Sequence, residues 1–271
     1  MRASLLALLL FACAKPAAPP APVSPCVEQR FEEAGFIVCR GGRIEIRAGV
    51  HGFKELQARL GPRADSVAFA MNAGMFDEAG APIGLFVEDQ REVRAINRRE
   101  GGGNFHLMPN GVFLVRKDGR AEVITSAAYK TAPDIAFASQ SGPMLVIDGA
   151  LHPKFDADGA SRYVRNAVGI GPDGTPVFVI TTDVVSFGKL ARFFRDRLKT
   201  KNALYLDGSV SSLWDPANGR MDDFVELGPL IVAFRRAESA PRRASRATPL
   251  APAPSRGRRG RGTAGRPGRP P

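Results

Sequence analysis

The stretch NALYLDGSVSSL, Asn202–Leu213, decides how the chain is read. A short apolar run, Ala203-Leu204-Tyr205-Leu206, stops at Asp207-Gly208 and gives way to Ser209, Ser211 and Ser212. Apolar residues in such a run suit a buried strand, and glycine ends it by allowing backbone turns that other residues resist. Two readings fit. One is a strand with a plain Asp-Gly turn. The other is a strand tip that delivers the carboxylate of Asp207 to the floor of an active site.

Working outward, the same grammar recurs. Met71-Asn72-Ala73-Gly74, Ser139-Gln140-Ser141-Gly142 and Ile147-Asp148-Gly149 each end an apolar run with a small or polar residue and glycine. Together they suggest a cleft lined by backbone amides, which suits an anionic ligand such as phosphate. Phe36–Cys39 and Arg43–Arg47 read as a hairpin around Gly41-Gly42. Gly111–Val115 with Glu122–Thr125, and Asn166–Ile170 with Val177–Thr182, read as two more hairpins. Phe53–Leu60 has helical spacing, and Ser186–Lys199 is a second helix with Ser186 as its cap. About ten strands and two helices, in no βαβ alternation, predict an α+β fold. It is a single domain of large, mostly antiparallel sheets with a few flanking helices.

The 271 residues carry a formal net charge of +11. Residues 235–271 hold eleven Arg and one Glu, a net of +10, which leaves +1 for residues 1–234. The basic character therefore belongs to a tail and not to the domain, so nucleic acid is not the expected partner. The tail is rich in Arg, Pro, Ala, Ser and Gly and reads as disordered. It is either a loose solvated extension or a segment that binds anionic headgroups or other phosphates.

Arg2 followed by apolar Leu5–Phe11 reads as an export signal over residues 1–13. Leu10-Phe11-Ala12-Cys13 resembles a lipoprotein box with Cys13 as the lipidated residue, while Ala12-Cys13-Ala14 also fits ordinary cleavage. A Pro/Ala-rich tether spans 14–26, and the domain runs over 27–234. An envelope location, periplasmic or at the outer membrane, follows as an expectation, with secretion as the alternative. Beyond Cys13 the cysteines are Cys26 and Cys39, read as a disulfide formed after export, or with Cys39 unpaired in a strand. The three histidines, His51, His106 and His152, stand at no metal-ligand spacing. No metal site and no cofactor is expected, though a divalent cation stays open. Asp156-Ala157-Asp158-Gly159 lacks a full calcium-loop pattern and reads as a solvated turn.

Six blocks carry a resemblance. FAMNAGMFDEAGAPIGLFVEDQ, GNFHLMPNGVFLV, SQSGPMLVIDG, VRNAVGI, VFVITTD and NALYLDGSVSSLW occur in the order and spacing of the phosphodiester glycosidase family. The resemblance covers Phe31 to Phe234 and implies cleavage of a glycosidic bond whose leaving group is a phosphodiester. Asn72, Gly74 and Phe76 match the family's NAG-aromatic turn; Gly142-Pro143 and Asp148-Gly149 match its glycine-proline and Asp-Gly pairs. Arg165, Gly169, Asp183 and Asp207-Gly208, with Ser211 and Ser212, match further positions. Asn166 replaces a threonine, and Ser209 and Val210 replace glycines, which places the chain in a bacterial subgroup.

The implied chemistry suits these residue types. An oxocarbenium-like transition state calls for carboxyl groups at the anomeric carbon. A phosphate leaving group needs its charge held, which a guanidinium does bidentately. Asp207 and Asp183 are therefore expected as the catalytic pair and Arg165 as the phosphate ligand. Asn72, Gly74, Gly142, Asp148, Asn166, Gly208, Ser209, Ser211 and Ser212 are expected to line the substrate site. The expected partner is a sugar-phosphate or glycan phosphodiester, with the membrane reached through the lipid anchor and the basic tail.

Overall fold

A computed structural model describes residues 23–235. Cys13, the signal, most of the tether and all but the first residue of the Arg-rich tail lie outside the described residues.

Seventeen strands run along the described residues. They are β1 (Cys26–Phe31), β2 (Ala34–Arg40), β3 (Arg43–Arg47), β4 (Val67–Asn72), β5 (Phe86–Glu88), β6 (Arg91–Arg94), β7 (Gly111–Arg116), β8 (Ala121–Thr125) and β9 (Ile135–Ser141). There follow β10 (Met144–Ile147), β11 (Ala150–Leu151), β12 (Asn166–Ile170), β13 (Pro176–Thr181), β14 (Ala203–Tyr205), β15 (Leu213–Asp215), β16 (Arg220–Met221) and β17 (Leu230–Phe234). Two short α-helices, α1 (Phe53–Leu60) and α2 (Phe187–Arg192), complete the set among the described residues. The expected count of about ten strands falls short because several are only two or three residues long, below what alternation can reveal.

The strands form three sheets, ordered β1-β2-β13-β12-β14-β10-β11, β16-β15-β4-β17-β3 and β6-β5-β9-β7-β8. Pairing is antiparallel throughout, as in β1–β2, β4–β17 and β7–β9. The fold is a single α+β domain dominated by antiparallel sheet. The two hairpins expected at β7–β8 and β12–β13 form. The one expected at Gly41-Gly42 does not. There the chain crosses from the first sheet to the second, β2 pairing with β13 and β3 with β17. Both glycines have positive φ, 78° and 91°, and a Cβ on Gly42 would stand 2.9 Å from the Phe234 carbonyl oxygen. The crossover therefore needs glycine for backbone and for space.

The three sheets share one core. Alternation along β13 sends Phe178 and Ile180 inward and Val177 and Val179 to the opposite face. Phe178 meets Phe69 of the second sheet at 5.4 Å and Phe113 of the third at 5.5 Å between ring centroids. The outward face of the first sheet is covered by α2 and the turn after it, with Phe193 stacked on Phe36 at 3.9 Å. The outward face of the second is covered by Phe53, Leu56 and Leu60 of α1. Ser186 caps α2 by accepting from the Lys189 N–H. The helix is shorter than expected: after Arg192 it widens into a π turn, Phe193–Arg197, which seats Phe193 and Phe194 in the apolar layer. Cys26 and Cys39 face each other across β1 and β2 and are joined by a disulfide.

On β3, Ile44 and Ile46 point to the core, and Glu45 points away yet is only 3% exposed. Arg43, Arg47 and Arg63 surround its carboxylate, and Arg47 reaches on to Glu88 and Asp89 beside the third sheet. Burial opposes ionisation of Glu45, but the three guanidinium hydrogen bonds prevail and pull its pKa down from 4.5 to about 2. A depressed folded-state pKa gives stability that is present above 4.5 and lost as pH falls toward 2. Glu45→Gln is therefore expected to lower stability by about 2–4 kcal/mol near neutral pH. The loss should shrink at pH 3, as denaturant titrations at the two pH values will report.

Candidate active site

The site lies where the first and second sheets meet, beyond the end of β14. The backbone of Asp207 is fixed on both sides: its N–H donates to the Ala73 carbonyl at 3.0 Å, and its carbonyl accepts from Asn72 Nδ2 at 2.7 Å. Asn72 Oδ1 accepts from Asn166 Nδ2 at 2.8 Å and from the Ser212 N–H at 2.9 Å. Two buried amides thus stitch the ends of β4 and β12 to the 207–212 turn. Asp207 caps the 3₁₀ turn Gly208–Val210, its Oδ1 accepting from the Ser209 N–H at 3.2 Å. The side chain is largely buried, and burial raises its pKa above the ordinary 3.8, opposed by the hydrogen bonds from Ser209.

Arg165 precedes β12 and is 1% exposed. Its Nε donates to the Val185 carbonyl (2.9 Å), Nη1 to the Tyr205 hydroxyl (3.2 Å), and Nη2 to the Ser161 carbonyl (2.9 Å) and Oγ (3.0 Å). The guanidinium stacks on Phe187, 3.7 Å from the ring centroid. Among the described residues no carboxylate lies within ion-pair distance of it. A buried cation held entirely by neutral groups is costly to desolvate and keeps its attraction for an anion that enters. Desolvation pushes its pKa down, yet an arginine stays protonated.

Tyr205 joins the two charged groups. Its hydroxyl accepts from Arg165 and lies directly beneath Gly208, where a Cβ would fall 1.9 Å from it. Only glycine lets the turn close over that ring. Burial, aided by the nearby Asp207 charge, raises the Tyr205 pKa, so it remains a neutral phenol.

A cleft of about 690 Å³ opens over these groups, lined by Asn104, Ser161, Tyr163, Arg165, Tyr205, the Gly208–Ser212 turn, Phe224 and Val225. A slightly larger hollow, about 750 Å³, lies beside Arg47, Arg63 and Glu88, where Arg47 already pairs with Glu88 and Asp89 and Arg63 with Glu45. The smaller cleft is the better candidate because its buried cation is unpaired.

The structure brings Arg165, Gly208, Ser209 and Ser211 onto this cleft; Asp207 does not line it but is buried next to Gly208, which does. Other expected site residues serve different ends. Asp183 is exposed and its Oδ2 accepts from the Gly35 N–H at 2.8 Å, pinning the start of β2; it does not line the cleft. Asp148 is exposed at a positive φ of 50° in the β10–β11 hairpin turn, its N–H donating to Asn202 Oδ1. Asn72 and Asn166 are spent on the stitch and position the turn. Gly74 and Gly142 are packing glycines: a Cβ would fall 2.3 Å from the Gln140 carbonyl oxygen and 2.6 Å from Asn110 Cβ respectively. Ser212 lines the cleft, and its Oγ donates to the Val210 carbonyl at 2.8 Å. Ser211 Oγ faces the Gly208 carbonyl at 3.1 Å.

Tyr205, Phe187, Ser161 and Tyr163 are the site residues that sequence reasoning misses. Tyr205 hides inside an apolar run, although its place two residues before Asp207 is a usable signal. Among the described residues no group of three His, Cys, Asp or Glu side chains could hold a metal ion.

Comparison with known proteins bears on the fold and the family. YigE of Escherichia coli K12, an uncharacterized protein, is 38% identical over 148 residues, 55% of this chain and 58% of that protein. The match therefore spans less than two thirds of that relative. The catalytic domain of zebrafish N-acetylglucosamine-1-phosphodiester α-N-acetylglucosaminidase, auto-inhibited by its pro-peptide, superposes with a TM-score of 0.53 at 15% identity. That superposition covers 78% of this chain and 82% of the zebrafish chain. A hypothetical protein from Synechocystis superposes with a TM-score of 0.50 at 13% identity, covering 78% of this chain and 61% of its own. At these identities the superpositions speak for the fold. Residues 65–221, more than half of the sequence, match the family model for phosphodiester glycosidase, and the chain belongs to that family.

Proposed function

We propose that the protein hydrolyses the glycosidic bond of a sugar-1-phosphodiester in the bacterial cell envelope. The observation that carries the reading is Arg165, a buried guanidinium with no carboxylate partner among the described residues, linked through Tyr205 to the turn that holds Asp207. Arg165 holds the phosphodiester, and Asp207 supplies the negative charge that an oxocarbenium-like transition state requires. One carboxylate, Asp207, adjoins the cleft through Gly208 where a pair was expected to line it. That suffices for this leaving group, because a phosphate ester departs as a weak base without a strong general acid. The envelope location is supported by the sequence alone: Arg2, the apolar Leu5–Phe11 run, Cys13 and the Pro/Ala-rich stretch after it. Lipidation at Cys13 and contact of the Arg-rich tail with anionic headgroups belong to the same proposal.

Hydrolysis of a sugar-1-phosphodiester in ¹⁸O-labelled water tests the reading. Label on the sugar is expected from C–O cleavage. Label on the phosphate would make the protein a phosphodiesterase, and binding without turnover would make it a glycan- or phosphate-binding lipoprotein.

A further inference from the structure

The mouth of the cleft carries large apolar side chains beside the polar Asn104, Ser161 and Ser209. Among the described residues seven large apolar side chains are exposed, and three of them, Tyr163, Phe224 and Val225, line this one cleft. Phe224 is 87% exposed and Tyr163 61%. Exposed apolar side chains scattered singly need no explanation, but a cluster at the entrance of a charged cleft marks a contact surface. The loop that carries Phe224 and Val225 is anchored at both ends. The Asp222 N–H donates to the Leu213 carbonyl, and the Leu227 N–H to the His51 carbonyl. Gly228 packs on Phe76, where a Cβ would come within 2.3 Å of the ring.

An aromatic platform for the sugar ring is the obvious rival; the amide of Asn104 lines the same cleft, but the two carboxylates beside Phe224 are engaged elsewhere. Sugar recognition pairs a stacking face with carboxylates or amides that take the ring hydroxyls. Here Asp222 is engaged by Arg220 and the Leu213 N–H, and Asp223 pairs with Lys54. Val225 offers no ring face. What remains beside Phe224 is an apolar patch next to an anion cradle, a complement to an amphiphile.

Building on the proposed glycosidase activity, we infer that the alcohol on the far side of the phosphate is a long-chain, lipid-type alcohol. Its first methylenes lie on Tyr163, Phe224 and Val225 while Arg165 holds the phosphate. Burying even three methylenes on such a rim should tighten the complex by at least about tenfold.

The full chain is given a series of substrates that share sugar and phosphate but carry methyl, butyl or octyl alcohols. The expected result is a kcat/KM that rises at least about tenfold from methyl to octyl. The rise should flatten in Phe224→Ser/Val225→Ser, which alters only exposed side chains. A flat series for the unmodified chain overturns the inference. So does an equal loss across the series in the variant, which would place the sugar on the rim. If no phosphodiester is turned over, the glycosidase reading fails separately. The rim is then judged by calorimetry with octyl phosphate, below its micelle threshold, against methyl phosphate. Tighter binding of the octyl ester supports the inference, and equal binding refutes it.

Discussion

Asp207→Asn is expected to abolish turnover, by a factor of about 10³ or more, without unfolding the protein. The asparagine keeps an oxygen that can accept from the Ser209 N–H, so the cap of the 208–210 turn survives. It lacks the charge that the reaction needs. The same change should raise thermal stability. Burial lifts the carboxyl pKa above 3.8, so the folded state is favoured while Asp207 is protonated. That advantage is lost as pH rises through the raised pKa. At neutral pH the buried carboxylate is therefore a burden of about 0.5–2 kcal/mol, which asparagine removes. Melting curves of the two proteins should diverge at pH 7 and converge near pH 3. For the same reason the acid limb of kcat/KM should lie above the ordinary aspartate range. Full activity in Asp207→Asn would remove this residue from the chemistry.

Arg165→Lys is expected to lower kcat/KM by about 10²-fold or more and stability by about 2–4 kcal/mol. An ammonium cannot bond the Val185 carbonyl, the Tyr205 hydroxyl and Ser161 at once, nor lie flat on Phe187. The substitution therefore keeps the charge and loses its placement. Inorganic phosphate offers a readout that folding defects do not mimic. It should raise the melting temperature of the unmodified protein through binding to the native state. That increment should vanish in Arg165→Lys. A variant that keeps the increment would place the anion site elsewhere.

What the sequence discloses is local. β12 and β13 are legible because Pro172-Asp173-Gly174-Thr175 closes the hairpin between adjacent apolar runs. β3 is legible as a strand but not in its partnership: nothing near residues 43–47 announces residues 230–234. Asp183 and Asp207 look alike in sequence, each an aspartate ending an apolar strand. Their surroundings separate them, and these come from the Gly35 amide in one case and from Tyr205 and Gly208 in the other. Asn72 misleads for a similar reason. A polar residue at a glycine turn fits a ligand contact as well as a clamp, and only its partners, Asp207 and Ser212, decide. Arg165 is the counterexample: its chemistry follows from residue type, and the fold adds that no carboxylate among the described residues neutralises it.

The pairing of β17 between β3 and β4 sets the order in which this protein can fold. Residues 43–47 and 67–72 wait for a partner some 160 to 190 positions further on. Such long-range closure is entropically slow and leaves apolar strand edges open until it occurs. A chain that emerges from its N-terminus cannot complete its second sheet until residue 234 has followed. Nascent or truncated forms that stop before Leu230 should therefore be caught by chaperones or proteases, however intact their β7–β8 and β12–β13 hairpins are.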